Sequence, residues 1–100
     1  MAPRIELDAE AIRQFCSRWK VRELSLFGSV LRDDFGPDSD VDVLVTFASD
    51  AHCSAFDLVD MEEELKGIFG RPVDLVEAAG LRNPFRRKAI LESRQVIHAA

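Results

Sequence analysis

This chain of 100 residues has only two cysteines, four prolines and one tryptophan, and no tyrosine. Cys16 and Cys53 fit no metal-ligand spacing such as Cys-x-x-Cys. They read as reduced thiols, with Cys16 in the core. No apolar run is long enough to cross a bilayer, so no membrane role is expected. No basic-then-apolar leader precedes the first expected helix, and the expected location is the cytoplasm. His52 and His98 have no partners at ligand spacing and are assigned nothing. A cationic surplus is missing as well. Thirteen Lys and Arg against eighteen Asp and Glu give a net charge of -5. That balance excludes gripping a nucleic-acid backbone with the whole surface, so direct nucleic-acid binding is not expected. What remains, 47% hydrophobic and 31% charged residues, is the make-up of a globular chain with one core. One domain spanning 1–100 is therefore expected.

The charge is unevenly spread. Acidic residues gather at Asp33, Asp34, Asp38, Asp40 and Asp42, and again at Asp57, Asp60, Glu62, Glu63 and Glu64. Basic residues gather late, at Arg82, Arg86, Arg87, Lys88 and Arg94, and read as a solvated helix face. A cluster of like-charged aspartates is self-repelling without a cation, and the first cluster is where a cation belongs.

Periodicity predicts the elements. Residues 8–19 form an amphipathic helix capped by Asp8, with Ile12, Phe15, Cys16 and Trp19 on one stripe. A short buried strand covers 24–27 and stops at Gly28. A short helix follows from Ser29 until Gly36-Pro37 breaks it. Val41–Phe47 is the clearest strand, with Val41, Val43, Val45 and Phe47 on one face and Asp40, Asp42, Leu44 and Thr46 on the other. Residues 56–69 form a second amphipathic helix lined by Leu58, Met61, Leu65 and Ile68 or Phe69. A third strand over 72–76 carries Asp74. Asn83-Pro84 starts a last helix running to about Ser93, and Val96-Ile97 suits a final short strand. Trp19, Met61 and Phe69 are expected in the core. The order α-β-α-β-α-β-α, with a further β, predicts an α/β (α+β) fold in which helices cover a small sheet.

The chemistry concentrates in Leu26-Phe27-Gly28-Ser29 and, ten residues on, Asp40-Val41-Asp42. A turn of small residues opening a helix offers free backbone N–H groups to phosphate oxygens. Carboxylates at i and i+2 of a strand share a face and can hold one hard cation. Together they suit a metal-bound nucleoside triphosphate. A calcium loop of the EF-hand type is excluded: counted from Asp38, its sixth and twelfth places hold Val43 and Ser49 instead of Gly and Glu.

Leu-Phe-Gly-Ser followed by Asp-Ser-Asp-x-Asp-x-Leu-Val resembles the nucleotidyltransferase superfamily typified by DNA polymerase β. More narrowly, it resembles the minimal nucleotidyltransferases encoded beside HEPN-type toxins. Pro72-Val73-Asp74-Leu75-Val76 and Leu81-Arg82-Asn83-Pro84-Phe85 match the same pattern, so the resemblance covers nearly the whole chain. It implies the nucleotidyltransferase fold with its small mixed sheet. It also implies that Gly28 and Ser29 hold the β- and γ-phosphates of ATP, with Arg32 reaching a phosphate or anchoring the loop. Asp40, Asp42 and Asp74 would bind two Mg²⁺ ions, and Asp74 would also take the proton of the attacking hydroxyl. Asp33 stands where many relatives carry glycine, which bears on loop shape and nucleotide affinity but not on reaction type.

The resemblance further implies a biological role. The chain would act as an antitoxin, transferring AMP to a tyrosine of a partner HEPN toxin and assembling with it. Lacking tyrosine, it cannot be its own acceptor. Two alternatives stay open: a catalytically weak nucleotide-binding antitoxin that neutralises by stoichiometric contact, and a transferase for a small hydroxyl compound.

Overall fold

The computed structural model describes residues 7–31, 36 and 39–100. Helix α1 (Ala9–Trp19) begins where the Asp8 side chain accepts the Ala11 N–H and ends at Lys20, which adopts a left-handed conformation. Strand β1 (Val21–Phe27) leads into a single 3₁₀ turn over Gly28–Leu31. Strand β2 (Val41–Phe47) has the bounds expected from its alternation. Helix α2 (Ala55–Phe69) opens on a reciprocal capping box between Ser54 and Asp57 and closes on Gly70 at φ 68°. Strand β3 (Val73–Glu77) is followed by a short 3₁₀ turn over Ala78–Gly80. Helix α3 (Pro84–Ser93) is capped by Asn83, whose side chain accepts two backbone N–H groups. Strand β4 (Gln95–Ala99) ends the fold.

The sheet is mixed, in the order β3-β2-β1-β4. β1 pairs antiparallel with both β2 and β4, while β2 and β3 run parallel. Parallel neighbours need a crossover, and α2 supplies it.

Alternation along the strands makes two cores, one on each face. Leu24, Leu26, Val41, Val43 and Val45 pack under Phe15 and Cys16 of α1 and Met61 and Leu65 of α2. On the other face Phe27 and Leu44 pack with Ala78, Leu81 and Ile90, the last from α3. Ile90 is the buried residue of that helix, and its Phe85 is 85% exposed. One face is thus sealed by two helices and the other only partly covered, and Asp42, Thr46 and Asp74 lie on the open one.

Several expectations shift. β1 starts three residues early because Val21 pairs with Phe47 across β2, and Glu23 pairs with Thr46 and with Ala99 of β4. The Arg22-Glu23 pair hides this part of the strand from a hydrophobicity pattern, and Arg94 offsets the Glu23 charge at 2.9 Å. The helix expected from Ser29 is a 3₁₀ turn as far as Leu31. Trp19 is half-buried at the rim of the core, its Nε1–H donating to Glu64 Oε2 at 2.6 Å. Among the described residues no helix is long and apolar enough to cross a membrane.

Candidate active site

The site is built where β1 ends and β2 begins. Antiparallel pairing sets Phe27 opposite Asp42, so the next residue, Gly28, is carried past the Asp42 carboxylate. Gly28 sits at φ 75°, a left-handed conformation that side chains resist. A Cβ there would lie 2.2 Å from Asp42 Oδ2 and 3.2 Å from its Cγ. Glycine suits the left-handed turn, and any added Cβ would also push the Asp42 carboxylate from its place. Ser29 follows half-buried, in the first turn of the 3₁₀ segment.

The parallel ladder supplies the third strand's carboxylate. Asp42 and Asp74 are direct partners in the β2–β3 register. Paired residues of neighbouring strands project from the same face, with strands spaced about 4.8 Å apart. Asp42 is half-buried and Asp74 exposed. Asp40 lies just before β2, also exposed, and the next residue is tied down by Val41 N–H donating to the Pro72 carbonyl at 2.9 Å. The fold thus brings Gly28, Asp42 and Asp74 together and sets Asp40 at the mouth of the strand. Arg32, Asp33 and Asp38 lie outside the described residues.

Among the described residues, no three Asp, Glu, His or Cys side chains converge as a metal cage. Two of the three aspartates are exposed, and like charges spread apart without a cation between them. The donor set nonetheless fits a hard divalent cation: all three are carboxylates, and the missing Cβ of Gly28 lets the Asp42 carboxylate lie against the turn that follows β1.

The surrounding charges differ from a bare acidic cluster. Lys66, near the end of α2, is held protonated above the usual lysine range, first by its hydrogen bond to Glu63 and to a smaller degree by Asp40 among nearby acids. The Arg71 guanidinium donates to the carbonyl of Gly36, in the segment leading to Asp40. Sequence reasoning assigned nothing to either residue. The only signal for Arg71 was its place two residues before the strand that carries Asp74. Neither cysteine joins the site: burial pushes the Cys16 thiol up to about 12. The half-buried Cys53 is raised too, by burial and then by Asp57 and Glu77.

Comparison with known proteins agrees with this architecture. Residues 9–97 match the nucleotidyltransferase domain family. The protein adenylyltransferase MntA of Thermococcus cleftensis is 34% identical over 80 residues, covering 80% of this chain and 79% of its own. A solved structure assigned as a minimal nucleotidyltransferase superposes with a TM-score of 0.71 at 32% identity, covering 87% of this chain and 86% of the other. The complex of tri-AMPylated Shewanella oneidensis HEPN toxin with its MNT antitoxin gives a TM-score of 0.66, covering 92% of this chain and 70% of the other. At 17% identity that last match speaks for the fold alone. With the Gly28–Asp42 approach and the Asp42–Asp74 register built on this frame, the chain belongs to the nucleotidyltransferase domain family, as a nucleotidyltransferase of its minimal branch.

Proposed function

We propose that this chain is a Mg²⁺-dependent protein adenylyltransferase that moves AMP from ATP to a tyrosine hydroxyl of a HEPN-type toxin and so acts as its antitoxin. The carrying observation is the backbone of Gly28 set against the Asp42 carboxylate, so close that any added Cβ would force that carboxylate or the turn to move. A turn that must carry phosphate beside a metal-binding carboxylate has this construction. The relative from Thermococcus cleftensis is a protein adenylyltransferase, and the Shewanella complex holds an AMPylated toxin. Both support this reading.

Gly28 and Ser29 would bind the β- and γ-phosphates through backbone N–H groups and the Ser29 hydroxyl, and Arg32 would add a cationic contact. Asp40, Asp42 and Asp74 would hold two Mg²⁺ ions. When bound, these neutralise charge on the attacking and leaving oxygens of an in-line displacement. Asp74 would accept the proton of the acceptor hydroxyl as its oxygen bonds to the α-phosphorus. The bond from that phosphorus to the bridging oxygen breaks, and pyrophosphate leaves. Asp74 is exposed, so an acceptor presented by another protein can reach it.

A second reading draws on the exposure of Asp40 and Asp74, which leaves two of the three carboxylates open to a partner's surface. In it the chain neutralises its toxin by contact alone. Intact-mass spectrometry of a HEPN-type toxin, after incubation with this chain, ATP and Mg²⁺, separates the two. A gain of one or more AMP masses, lost with Asp40→Asn/Asp42→Asn, supports the transferase. An unchanged mass, with toxin still inhibited by the double variant, leaves a binding antitoxin.

A further inference from the structure

Asp40 is flanked by two backbone anchors, and both come from one dipeptide in the turn between α2 and β3. Upstream, Gly36 and Ser39 clasp each other. The Ser39 N–H donates to the Gly36 carbonyl at 3.1 Å, and the Gly36 N–H donates to Ser39 Oγ at 3.0 Å. The half-buried Arg71 guanidinium donates to that same Gly36 carbonyl. Downstream, the Val41 N–H donates to the carbonyl of Pro72. Asp40 itself is exposed, so packing does little to orient it. Its place relative to Asp42 is inherited from the backbone on either side.

We propose that Arg71 is a positioning residue of the metal site: by pinning the Gly36 carbonyl it sets the segment carrying Asp40 at a distance from Asp42 that one divalent cation can bridge. The inference rests on the reading of Asp40 and Asp42 as metal ligands. The downstream anchor belongs to the sheet edge and forms with the β2–β3 ladder. The upstream anchor is a side chain reaching across 35 positions of sequence, and it ties the segment to the turn that feeds Asp74 into β3. Arginine suits the task because its planar fork stays charged and presents several donors from a stem that packs.

A purely electrostatic role for Arg71 predicts the opposite sign. A guanidinium beside carboxylates opposes the entry of another cation, so its removal would tighten metal binding. A positioning role predicts that removal weakens binding.

The test uses Mn²⁺ in place of Mg²⁺, followed by electron paramagnetic resonance with the non-hydrolysable nucleotide AMP-PNP, on the full chain and its Arg71→Ala and Arg71→Lys variants. Arg71→Ala should weaken Mn²⁺ binding about tenfold, the scale of one hydrogen bond from a charged donor. Arg71→Lys should fall between it and the parent. Hydrogen exchange at the Ser39 amide should quicken in Arg71→Ala before any metal is added. Mn²⁺ binding as tight as the parent's, or tighter, overturns the proposal. Should Arg71→Ala not fold cooperatively, Arg71→Met decides, since it keeps the length and packing of the stem while removing the donors to the Gly36 carbonyl. It should weaken Mn²⁺ binding in the same direction, and unchanged binding would count against the proposal. A parent chain that binds no Mn²⁺ at all brings down the metal-site reading and this inference with it. That outcome is distinct from a parent that binds and an alanine variant that binds equally well.

Discussion

Replacing Gly28 with alanine tests the site through two costs that can be measured apart. The first is conformational. Holding a side chain at φ 75° costs about 1–2 kcal/mol. In a domain of this size each kcal/mol lowers the melting temperature by roughly 4–8 °C. The second is local. The new methyl would sit 2.2 Å from Asp42 Oδ2, well inside contact distance, so the carboxylate must swing away or the turn must shift. A displacement of about 1 Å at a reacting centre costs on the order of 10²-fold in rate. Gly70 supplies the control. It sits at φ 68°, but its added Cβ would meet nothing within 4 Å. Gly70→Ala should therefore lose comparable stability and keep its transferase activity. Gly28→Ala should lose both, with AMP transfer down by at least about 10²-fold at a temperature where both variants are fully folded. The assay pairs calorimetric melting with incorporation of label from α-labelled ATP. If Gly28→Ala transfers AMP at more than half the parent rate, the close approach to Asp42 has no catalytic meaning and the reasoning fails.

Asp42→Asn should fold with a melting temperature near that of the parent yet show no detectable transfer in Mg²⁺; appreciable turnover would remove Asp42 from the metal set. Glu64→Ala removes the acceptor of the Trp19 indole hydrogen bond and the ion-pair partner of Arg18, at a loss of about 1 kcal/mol because the site is partly exposed. The chain's single tryptophan should then emit at longer wavelength, while Glu64→Gln should restore most of the parent spectrum. Cys16 titrates at about 12 in the fold against 9.0 when unperturbed. The unfolded chain therefore binds fewer protons between those values, and stability falls as pH rises through that window, by up to about 1.4 kcal/mol per pH unit. Denaturant titrations from pH 8 to 11 should show this loss and a shallower one in Cys16→Ala; equal slopes would mean that Cys16 is not the group responsible.

Where one residue's pattern decided its neighbours, the sequence was legible. The alternation of Val41, Val43 and Val45 with Asp42 and Leu44 gave β2 its bounds and its two faces, because a period of two has a single consistent register. Asn83-Pro84 located the start of α3 through capping chemistry that acts within four residues. What escaped was long-range. Val21 to Glu23 joined β1 only because strands on both sides accept them, and the charge of Glu23 is offset by Arg94 from beyond α3. The parallel alignment that sets Asp74 against Asp42 depends on the crossover through α2, although each aspartate was recognisable alone. Trp19 counted as core on its stripe, but the stripe does not say where the core stops. Its indole N–H needs an acceptor, and Glu64 provides one at the rim. The Arg71 contact with Gly36 joins two loops and has no periodic signature at all.

The arrangement divides the work between a stiff frame and exposed ligands. Backbone pairing fixes the positions from which Asp42 and Asp74 project, and sealing the opposite face with α1 and α2 makes that frame resistant to shear. The carboxylates themselves lie on the thinly covered face, where water screens their repulsion and holding the cluster without a cation costs little. On the proposed reading, nucleotide and metal would draw these side chains inward on arrival. The affinity of the site would then depend less on preformed side-chain geometry than on how firmly the backbone under Asp40 is held. That backbone is the part of the cluster outside the ladder, since Asp42 and Asp74 sit within strands and Asp40 does not. Variation in metal affinity among substitutions should therefore concentrate in the contacts of Gly36, Ser39 and Arg71. Substitutions in the hydrophobic face of β2, such as Val43→Ala, should lower stability by about 1–3 kcal/mol while leaving the affinity for Mn²⁺ in the folded protein close to that of the parent.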